Sequence, residues 1–331
     1  MNFKDLPKVE LHCHLDGSLR VDTVLELMKE EGIDLGYKSY AEIKNMLVVP
    51  NDCPSLKEYL KRFDLPLKLM QSRKNLKRIA YELIEDVNKE NVKYIEVRFA
   101  PLLHKEKGLK VFEIIESVLE GLREGERDFG VKSNLILSIL RNMPVDSSYE
   151  VLEGGLKFIG NGVVALDLAG NEVEGFAKDF EEAFNLGRQY GYKITIHAGE
   201  TGFSSNVIDS INILKAERIG HGVAIENDKY AYELVRKNNI TLEMCPKSNI
   251  QTKAVNSYEK HPVKKFLDDD LLVSVNTDNR TVSNISLTEE FYNLNKIFVL
   301  SKEDYKKIYL DSVKGAFCDE ATKKWLVEQI E

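Results

Sequence analysis

Short apolar runs alternate with helical segments along most of this chain, and this alternation is the feature that most restricts its fold. The runs that indicate strands lie at residues 9–16, 94–100, 134–141, 163–168, 193–198, 218–220, 240–244 and 272–276. Segments with helical spacing lie at 72–91, 111–129, 147–159, 176–190, 207–215, 229–238 and 262–267, with further helices from residue 286. Eight strands, most of them followed by a helix, predict an α/β fold of the (β/α)8 TIM barrel type.

Residues 21–70 interrupt this alternation with a block of helical pattern. A serine followed three residues later by glutamate, at Ser39 and at Ser55, is typical of a helix start, as it is again at Ser147. The amphipathic run 59–70 is interrupted at Pro66. We expect one barrel domain over residues 1–331, with a helical insertion after the first strand that serves either as a lid or as extra packing.

A doubly wound open sheet is the alternative fold. It requires a glycine-rich turn after the first strand, and the sequence there, HLDGSLR, is not G-x-G-x-x-G. We find no internal repeat and no linker rich in proline, glycine or serine. The barrel is therefore the preferred interpretation.

Composition limits the partners and the compartment. The net charge is −8 and no long basic run occurs, which argues against nucleic acid as a main partner and against a multiply phosphorylated substrate. The N-terminus, MNFKDLPKVE, carries charges where a signal peptide needs an apolar core, and no apolar run approaches the roughly 18 residues of a membrane span. The four cysteines form no CxxC pair. We expect a cytoplasmic protein with reduced thiols, no membrane partner and no cysteine zinc site.

Polar residues stand where several of the predicted strands end. His12 and His14 share one face of the first strand, about 6.6 Å apart along it, and His197 and Glu200 end the fifth strand in KITIHAGETG. Other strand ends carry Gly170, His221 within GHG, and Asp278 within VNTDN. The carboxyl ends of parallel barrel strands lie on one face, where such enzymes keep their active sites. Four of the six histidines therefore fall on one rim.

This rim has the residue types of a zinc site. Three histidines and an aspartate, with room for a water, are ligands suited to Zn²⁺. We assign one zinc ion per chain to His12, His14, His197 and Asp278. His221 stays outside the ligands, where a neutral imidazole would orient a water and accept its proton. The remaining histidines, His104 and His261, are interpreted as structural.

Six motifs carry a family resemblance. In this order and spacing, HCHLDGS, DLAGNE, HAGET, RIGHG, MCPKSN and VNTDN resemble the adenosine deaminase family of the amidohydrolase superfamily. The resemblance runs from Leu6 to about Phe317. It implies zinc-dependent hydrolytic deamination of adenosine, and of 2′-deoxyadenosine, to inosine or deoxyinosine and ammonia, as in purine salvage.

The resemblance also implies catalytic roles. Glu200 would protonate purine N1, His221 would position the attacking hydroxide, and Asp278 would act beside them as well as bind zinc. Binuclear relatives carry a bridging lysine on strand four, whereas VVALDLAG has Asp167 and no lysine, so one metal is expected.

Substrate contacts follow from the same resemblance. Gly170 would bond the purine through its backbone, and Asp16 with His14 would face the ribose 5′-hydroxyl. Asn279 stands where many members have a second aspartate that contacts purine N7. An amide donates to N7 without holding a proton, so the donor role is kept while the substrate range is open.

Other functions remain as alternatives. Adenine deaminase and the deaminase of N6-modified AMP share this scaffold, but adenine-specific relatives tend to carry glutamate where Asp16 stands, and Asp16 would repel a phosphate. A metal-dependent phosphoesterase with the same HxH start and a non-catalytic binding barrel are further candidates. The deaminase class marked by H-x-E and P-C-x-x-C is excluded, because the sequence lacks that pattern.

Overall fold

Parallel strands in sequential order form the centre of the molecule. The computed structural model describes residues 1–34, 36, 38–50 and 53–330. Within these residues one eight-stranded sheet runs in the order β1 to β8, and each strand pairs in parallel with the next. The strands are β1 Lys8–His14, β2 Val92–Phe99, β3 Lys132–Leu140, β4 Val163–Ala169, β5 Lys193–Ala198, β6 Arg218–His221, β7 Thr241–Met244 and β8 Val273–Val275. The predicted barrel is confirmed.

The sheet closes on itself at the carboxyl ends of its first and last strands. The backbone N–H of His14 donates to the carbonyl of Asp278 at 2.7 Å, and the N–H of Asp278 donates to the carbonyl of His12 at 3.0 Å. These bonds join β1 to the residues directly after β8. Closure therefore places two segments with predicted zinc ligands edge to edge.

Helices surround the sheet. They are α1 Val21–Glu30, α2 Tyr40–Leu47, α3 Leu56–Leu60, α4 Asp64–Leu69, α5 Arg73–Asn88, α6 Val111–Phe129, α7 Ser147–Gly155, α8 Ala177–Gln189, α9 Ser204–Asn212, α10 Lys229–Lys237, α11 Pro246–Gln251, α12 Val263–Asp268, α13 Leu287–Phe298, α14 Lys302–Gly315 and α15 Glu320–Glu328. Helix α6 shows how they pack, because Ile114, Val118 and Leu122 recur on one face and are buried against the core. None of the helices in the described ranges is both long and apolar enough to cross a bilayer.

Helices α1 to α4 make up the insertion between β1 and β2. At Ser39 the predicted capping box is complete, since its Oγ accepts from the Glu42 N–H at 3.3 Å and its N–H donates to the Glu42 carboxylate at 2.8 Å. The break in the run 59–70 is a 3₁₀ turn, Lys61–Phe63, and Pro66 lies in the first turn of α4, where no N–H is needed. Residues 35, 37, 51 and 52 of the predicted insertion lie outside the described residues.

Two of the predicted capping boxes differ from the structure. At Ser55 the side chain accepts from the Glu58 N–H at 3.3 Å, but Glu58 does not return a bond to the Ser55 N–H. The capping box predicted at Ser147 is wrong. Helix α7 begins at Ser147 itself, and its hydroxyl donates to the carbonyl of Pro144 at 2.6 Å, because a turn directly before the helix takes that bond.

The interior of the barrel is charged. Strands β2, β4, β6 and β7 point carboxylates and guanidinium groups inward, all at most 1% exposed, namely Glu96, Arg98, Asp167, Arg218 and Glu243. Arg218 lies 2.6 Å from Glu96 and 2.6 Å from Glu243, and Arg98 lies 2.7 Å from Glu243. Buried charges of opposite sign pair with one another here, and they form a polar floor beneath the carboxyl-terminal rim.

Candidate active site

Side chains from β1, from β5 and from the segment after β8 meet at the carboxyl-terminal rim. The Nε2 atoms of His12 and His14 lie 3.2 Å and 3.4 Å from Oδ1 of Asp278. The Nε2 atom of His14 is 3.2 Å from that of His197. His12 and His14 reach the same volume because alternate residues of a strand point to one face. The structure thus brings together the four residues that the sequence suggested as zinc ligands.

Two of these histidines have their tautomers fixed by buried carboxylates. The Nδ1–H of His12 donates to Glu243 at 2.8 Å, and the Nδ1–H of His197 donates to Asp167 at 2.8 Å. Each Nε2 therefore carries a lone pair. The buried Nε2 of His12 has no hydrogen-bond partner among the described residues. Lone pairs and a carboxylate oxygen that converge in this way fit a bound cation.

The supporting carboxylates are ionised although they are buried. Burial alone raises the pKa of Glu243, but Arg98 and Arg218 hold it well below its usual range. The pKa of Asp167 is lowered in the same way by His197 and Arg98. Sequence reasoning missed Glu243 as a functional residue. The available signal was a charged residue in the middle of the apolar strand ITLEM.

His221 lies close to the same volume as the predicted ligands. One ligand atom from each of His12, His197, His221 and Asp278 lies within 4.8 Å of the others. This group contains His221 where the sequence suggested His14. Burial lowers the pKa of His14 well below its ordinary value, so its ring is neutral, as a metal ligand must be. The choice between His14 and His221 thus depends on which ring offers a lone pair.

The chain turns sharply at two of these residues. Asp278 and His221 adopt φ values of 61° and 65°, a left-handed conformation that is uncommon outside glycine. The N–H of Asn279 donates to the carbonyl of Thr277 at 2.7 Å across the first turn. Asp278 and Asn279 would point to opposite faces of a strand, but this turn lets both line the pocket. Ser248 donates to Oδ2 of Asp278 at 2.6 Å, which leaves Oδ1 facing the histidines.

Glu200 is held by the backbone of its own turn. The carboxylate of Glu172 accepts N–H bonds from Gly199, Glu200 and Thr201 at 2.7, 2.9 and 2.8 Å. This places Oε2 of Glu200 3.6 Å from Nε2 of His221. Sequence reasoning used Gly170 of DLAGNE but missed Glu172, the last residue of that motif.

A cleft opens above these groups. Its apolar wall comes from the insertion, with Leu56, Tyr59, Leu60, Phe63 and Leu67. Its polar end includes His14, Asp16, Gly170, His197, Glu200, His221, Asp278 and Asn279, while His12 lies buried beneath. Burial raises the pKa of Asp16 to about 7, and its Oδ1 has no hydrogen-bond partner among the described residues. An apolar wall facing a polar end suits a flat heterocycle that carries a polar substituent.

Known proteins match this chain over nearly its whole length. A family model described as adenosine deaminase matches residues 7–331. An adenosine deaminase of Clostridium perfringens (strain 13 / Type A) is 59% identical over 326 residues, which cover 98% of each chain. The solved adenine deaminase of Arthrobacter aurescens has a TM-score of 0.92, 26% identity and 98% coverage of each chain. An amidohydrolase of Burkholderia ambifaria, solved with bound Zn, has a TM-score of 0.87, 25% identity, and coverage of 99% of this chain and 93% of that one.

Proposed function

Because the chain belongs to the adenosine deaminase family, and is therefore a hydrolase of that type, we propose that its cleft converts adenosine or 2′-deoxyadenosine to inosine or deoxyinosine and ammonia. The observation that carries this proposal is that one cleft holds the histidine and aspartate cluster together with Glu200 and His221. Water addition to purine C6 requires an activated water and a proton donor, and both requirements have candidate residues here.

We propose one zinc ion per chain, held by His12, His14, His197 and Asp278. Support comes from the Nε2 of His12, which has no hydrogen-bond partner in the described part of the chain, and from the carboxylates that fix the tautomers of His12 and His197. The Zn bound in the related amidohydrolase supports it as well. When bound, Zn²⁺ would activate a water for attack at neutral pH.

The residues around this site have separate roles in the reaction. Glu200 gives a proton to purine N1 as the oxygen of the water adds to C6, and the proton that the water loses restores the Glu200 carboxyl group. The C6–N bond then breaks, the amino group takes the proton of the new hydroxyl group and leaves as ammonia, and C6 keeps the oxygen as a carbonyl. His221 orients the reacting water, and Asp278, held by Ser248, keeps one oxygen toward the reacting groups. The hydrogen bonds from the Gly199–Thr201 backbone to Glu172 keep Glu200 in place without occupying its carboxylate.

Substrate recognition is assigned to the polar end of the cleft. The backbone of Gly170 bonds the purine, and the Asn279 amide donates to N7. Asp16 and His14, whose Oδ1 and Nδ1 atoms are 4.0 Å apart, face the ribose 5′-hydroxyl. A carboxyl group at that end favours a free hydroxyl over a phosphate.

Free cysteines, three of them buried, support a reducing compartment, and we place the protein in the cytoplasm.

The decisive experiment compares substrates with the purified zinc-loaded protein. Ammonia release from adenosine is measured beside ammonia release from adenine, methylamine release from N6-methyl-AMP, and phosphate release from a phosphate ester. We expect adenosine and 2′-deoxyadenosine to give the highest kcat/KM. A higher value for adenine or N6-methyl-AMP, or turnover of the phosphate ester without ammonia release, would overturn the proposal.

A further inference from the structure

A row of buried side chains connects helix α12 to His221. The backbone N–H of Val263 donates to Nδ1 of His261 at 3.2 Å. A backbone N–H can only donate, so this nitrogen must accept, and the proton of the neutral ring lies on Nε2. Burial lowers the pKa of His261 to about 3, which keeps the ring neutral. The orientation of His261 is thus set by the main chain.

The next hydrogen bond fixes the orientation of the Asn249 side-chain amide. The Nε2–H of His261 lies 3.1 Å from Oδ1 of Asn249, which accepts it. The amide nitrogen of Asn249 then faces His221, 3.0 Å from its Nδ1. An amide nitrogen is a donor without an acceptor lone pair. Nδ1 of His221 must therefore accept, and the ring proton of neutral His221 lies on Nε2.

We propose that Asn249 and His261 are positioning residues that fix His221 as an Nε2–H hydrogen-bond donor in the active site. This inference rests on the proposed function and specifies how one of its residues acts. An Nε2 that carries the proton has no lone pair for a metal, so His221 is not a ligand, which agrees with the proposed ligand group that contains His14. For the same reason neutral His221 orients the reacting water as a hydrogen-bond donor, and the proton that this water loses passes to the Glu200 carboxylate.

The donor role gives Glu200 a defined partner. Oε2 of Glu200 is 3.6 Å from Nε2 of His221, and a carboxylate oxygen of Asp278 lies within 4.8 Å of a ring nitrogen of the same histidine. Because the Nε2–H of His221 only donates to the reacting water, Glu200 is the group that exchanges a proton with the substrate. Asn249 and His261 are both buried and do not line the cleft, so they act on the reaction through His221 alone.

Nitrogen NMR of the whole zinc-loaded protein tests the assignment directly. With ¹⁵N-labelled histidine, the six rings give long-range ¹H–¹⁵N patterns that show which nitrogen carries the proton. The pattern that disappears in His221→Gln identifies His221. We expect its Nε2 to be protonated and its Nδ1 to carry the lone pair.

Two near-isosteric variants separate positioning from simple packing. Asn249→Asp presents only acceptors, so Nδ1 of His221 becomes protonated and kcat falls by about 10²-fold or more. KM should change by only a few-fold, and the zinc content per chain should not change. His261→Gln keeps a side-chain N–H for Asn249, so it retains the Nε2–H tautomer of His221 and loses less kcat than Asn249→Asp.

A proton on Nδ1 of His221 in the parent protein would overturn the proposal, and so would an Asn249→Asp variant that keeps both the parent tautomer and the parent kcat. If Asn249→Asp does not fold, the parent spectrum decides alone. A parent protein with the Nε2–H tautomer that releases no ammonia from adenosine supports this inference and contradicts the proposed function.

Discussion

The side chain of Glu200 is free to exchange a proton because Glu172 binds the turn through its backbone N–H groups. Glu200→Gln keeps the shape of the side chain but cannot pass a proton to N1. We expect kcat with adenosine to fall by about 10²–10⁴-fold. Binding of the product inosine, measured by calorimetry, should change little. Turnover by this variant near the parent rate would exclude Glu200 as the acid.

Gly17 is needed because Asn279 packs directly on it. A Cβ at Gly17 would lie 1.9 Å from Oδ1 of Asn279, so Gly17→Ala must displace that side chain. If Asn279 donates to N7, losing the bond should cost about 1–3 kcal/mol, or roughly 5- to 150-fold in kcat/KM. The measurement is kcat/KM of parent and variant with adenosine.

The control is 7-deazaadenosine, which lacks the acceptor at N7. The parent should lose about as much with this analogue as Gly17→Ala loses with adenosine, and the two losses should not add, because both delete one bond. Equal kcat/KM of the parent for adenosine and 7-deazaadenosine would show that Asn279 does not donate a hydrogen bond to N7.

The sequence predicted those site residues that a strand end exposes, and missed those that support them from elsewhere in the chain. His12 and His14 could be found because strand alternation is a local property. Glu243 supports His12 from 231 residues away, and Glu172 supports Gly199 from 27 residues away. Such pairings depend on barrel closure and on which strands become neighbours. No local pattern contains that information.

At the scale of elements, the strands were predicted well and the helix ends less well. Helix α9 starts at Ser204, whereas its apolar periodicity starts at Val207. Its first residues, Ser204 to Asn206, are poor helix formers, and the Asn206 side chain bonds Glu172 at 2.8 Å. A tertiary contact therefore fixes a turn of helix that local propensity does not favour.

The end of helix α13 has a residue unsuited to its conformation. Val299 caps this helix at φ 52° and ψ 57°, and it is 80% exposed. A β-branched residue in the left-handed region costs about 1–2 kcal/mol; glycine removes this cost, but part of the gain is lost because its unfolded chain is freer. Val299→Gly should raise the free energy of unfolding in urea by about 1 kcal/mol. Equal or lower stability of this variant than of Val299→Ala would contradict this explanation.

Across the whole molecule, the proposed metal site connects distant parts of the chain. Its ligands come from β1, from β5 and from the residue that closes the barrel after β8. Zinc that binds the folded form alone, at 100 times its Kd, should stabilise it by about 2.7 kcal/mol. We expect one zinc per chain by elemental analysis and a lower Tm after chelation, with both effects lost in His197→Ala. Full activity in a metal-free preparation would rule out this site.

The response of the whole fold to acid depends on a histidine outside the active site. His104 is fully buried, donates from Nδ1 to the carbonyl of Met70 at 3.1 Å, and has a pKa lowered by burial to about 4. Between that value and the unfolded value of 6.5, the unfolded chain binds a proton that the folded chain does not. The contribution of His104 to the free energy of unfolding is therefore complete above its pKa in the unfolded chain. This contribution decreases as the pH falls through that value.

His104→Gln keeps an N–H for Met70 but does not titrate, so it removes this contribution while most other groups stay the same. Between pH 6.5 and pH 5 the parent should lose about 1.5 kcal/mol more of its unfolding free energy than the variant, because the slope rises to 1.36 kcal/mol per pH unit only once the unfolded histidine is fully protonated. Urea denaturation of metal-free parent and variant at both pH values measures that difference, and titration of the other histidines cancels in the comparison. Equal losses in the two proteins would mean that His104 titrates normally in the folded state, and that its burial has no cost in acid.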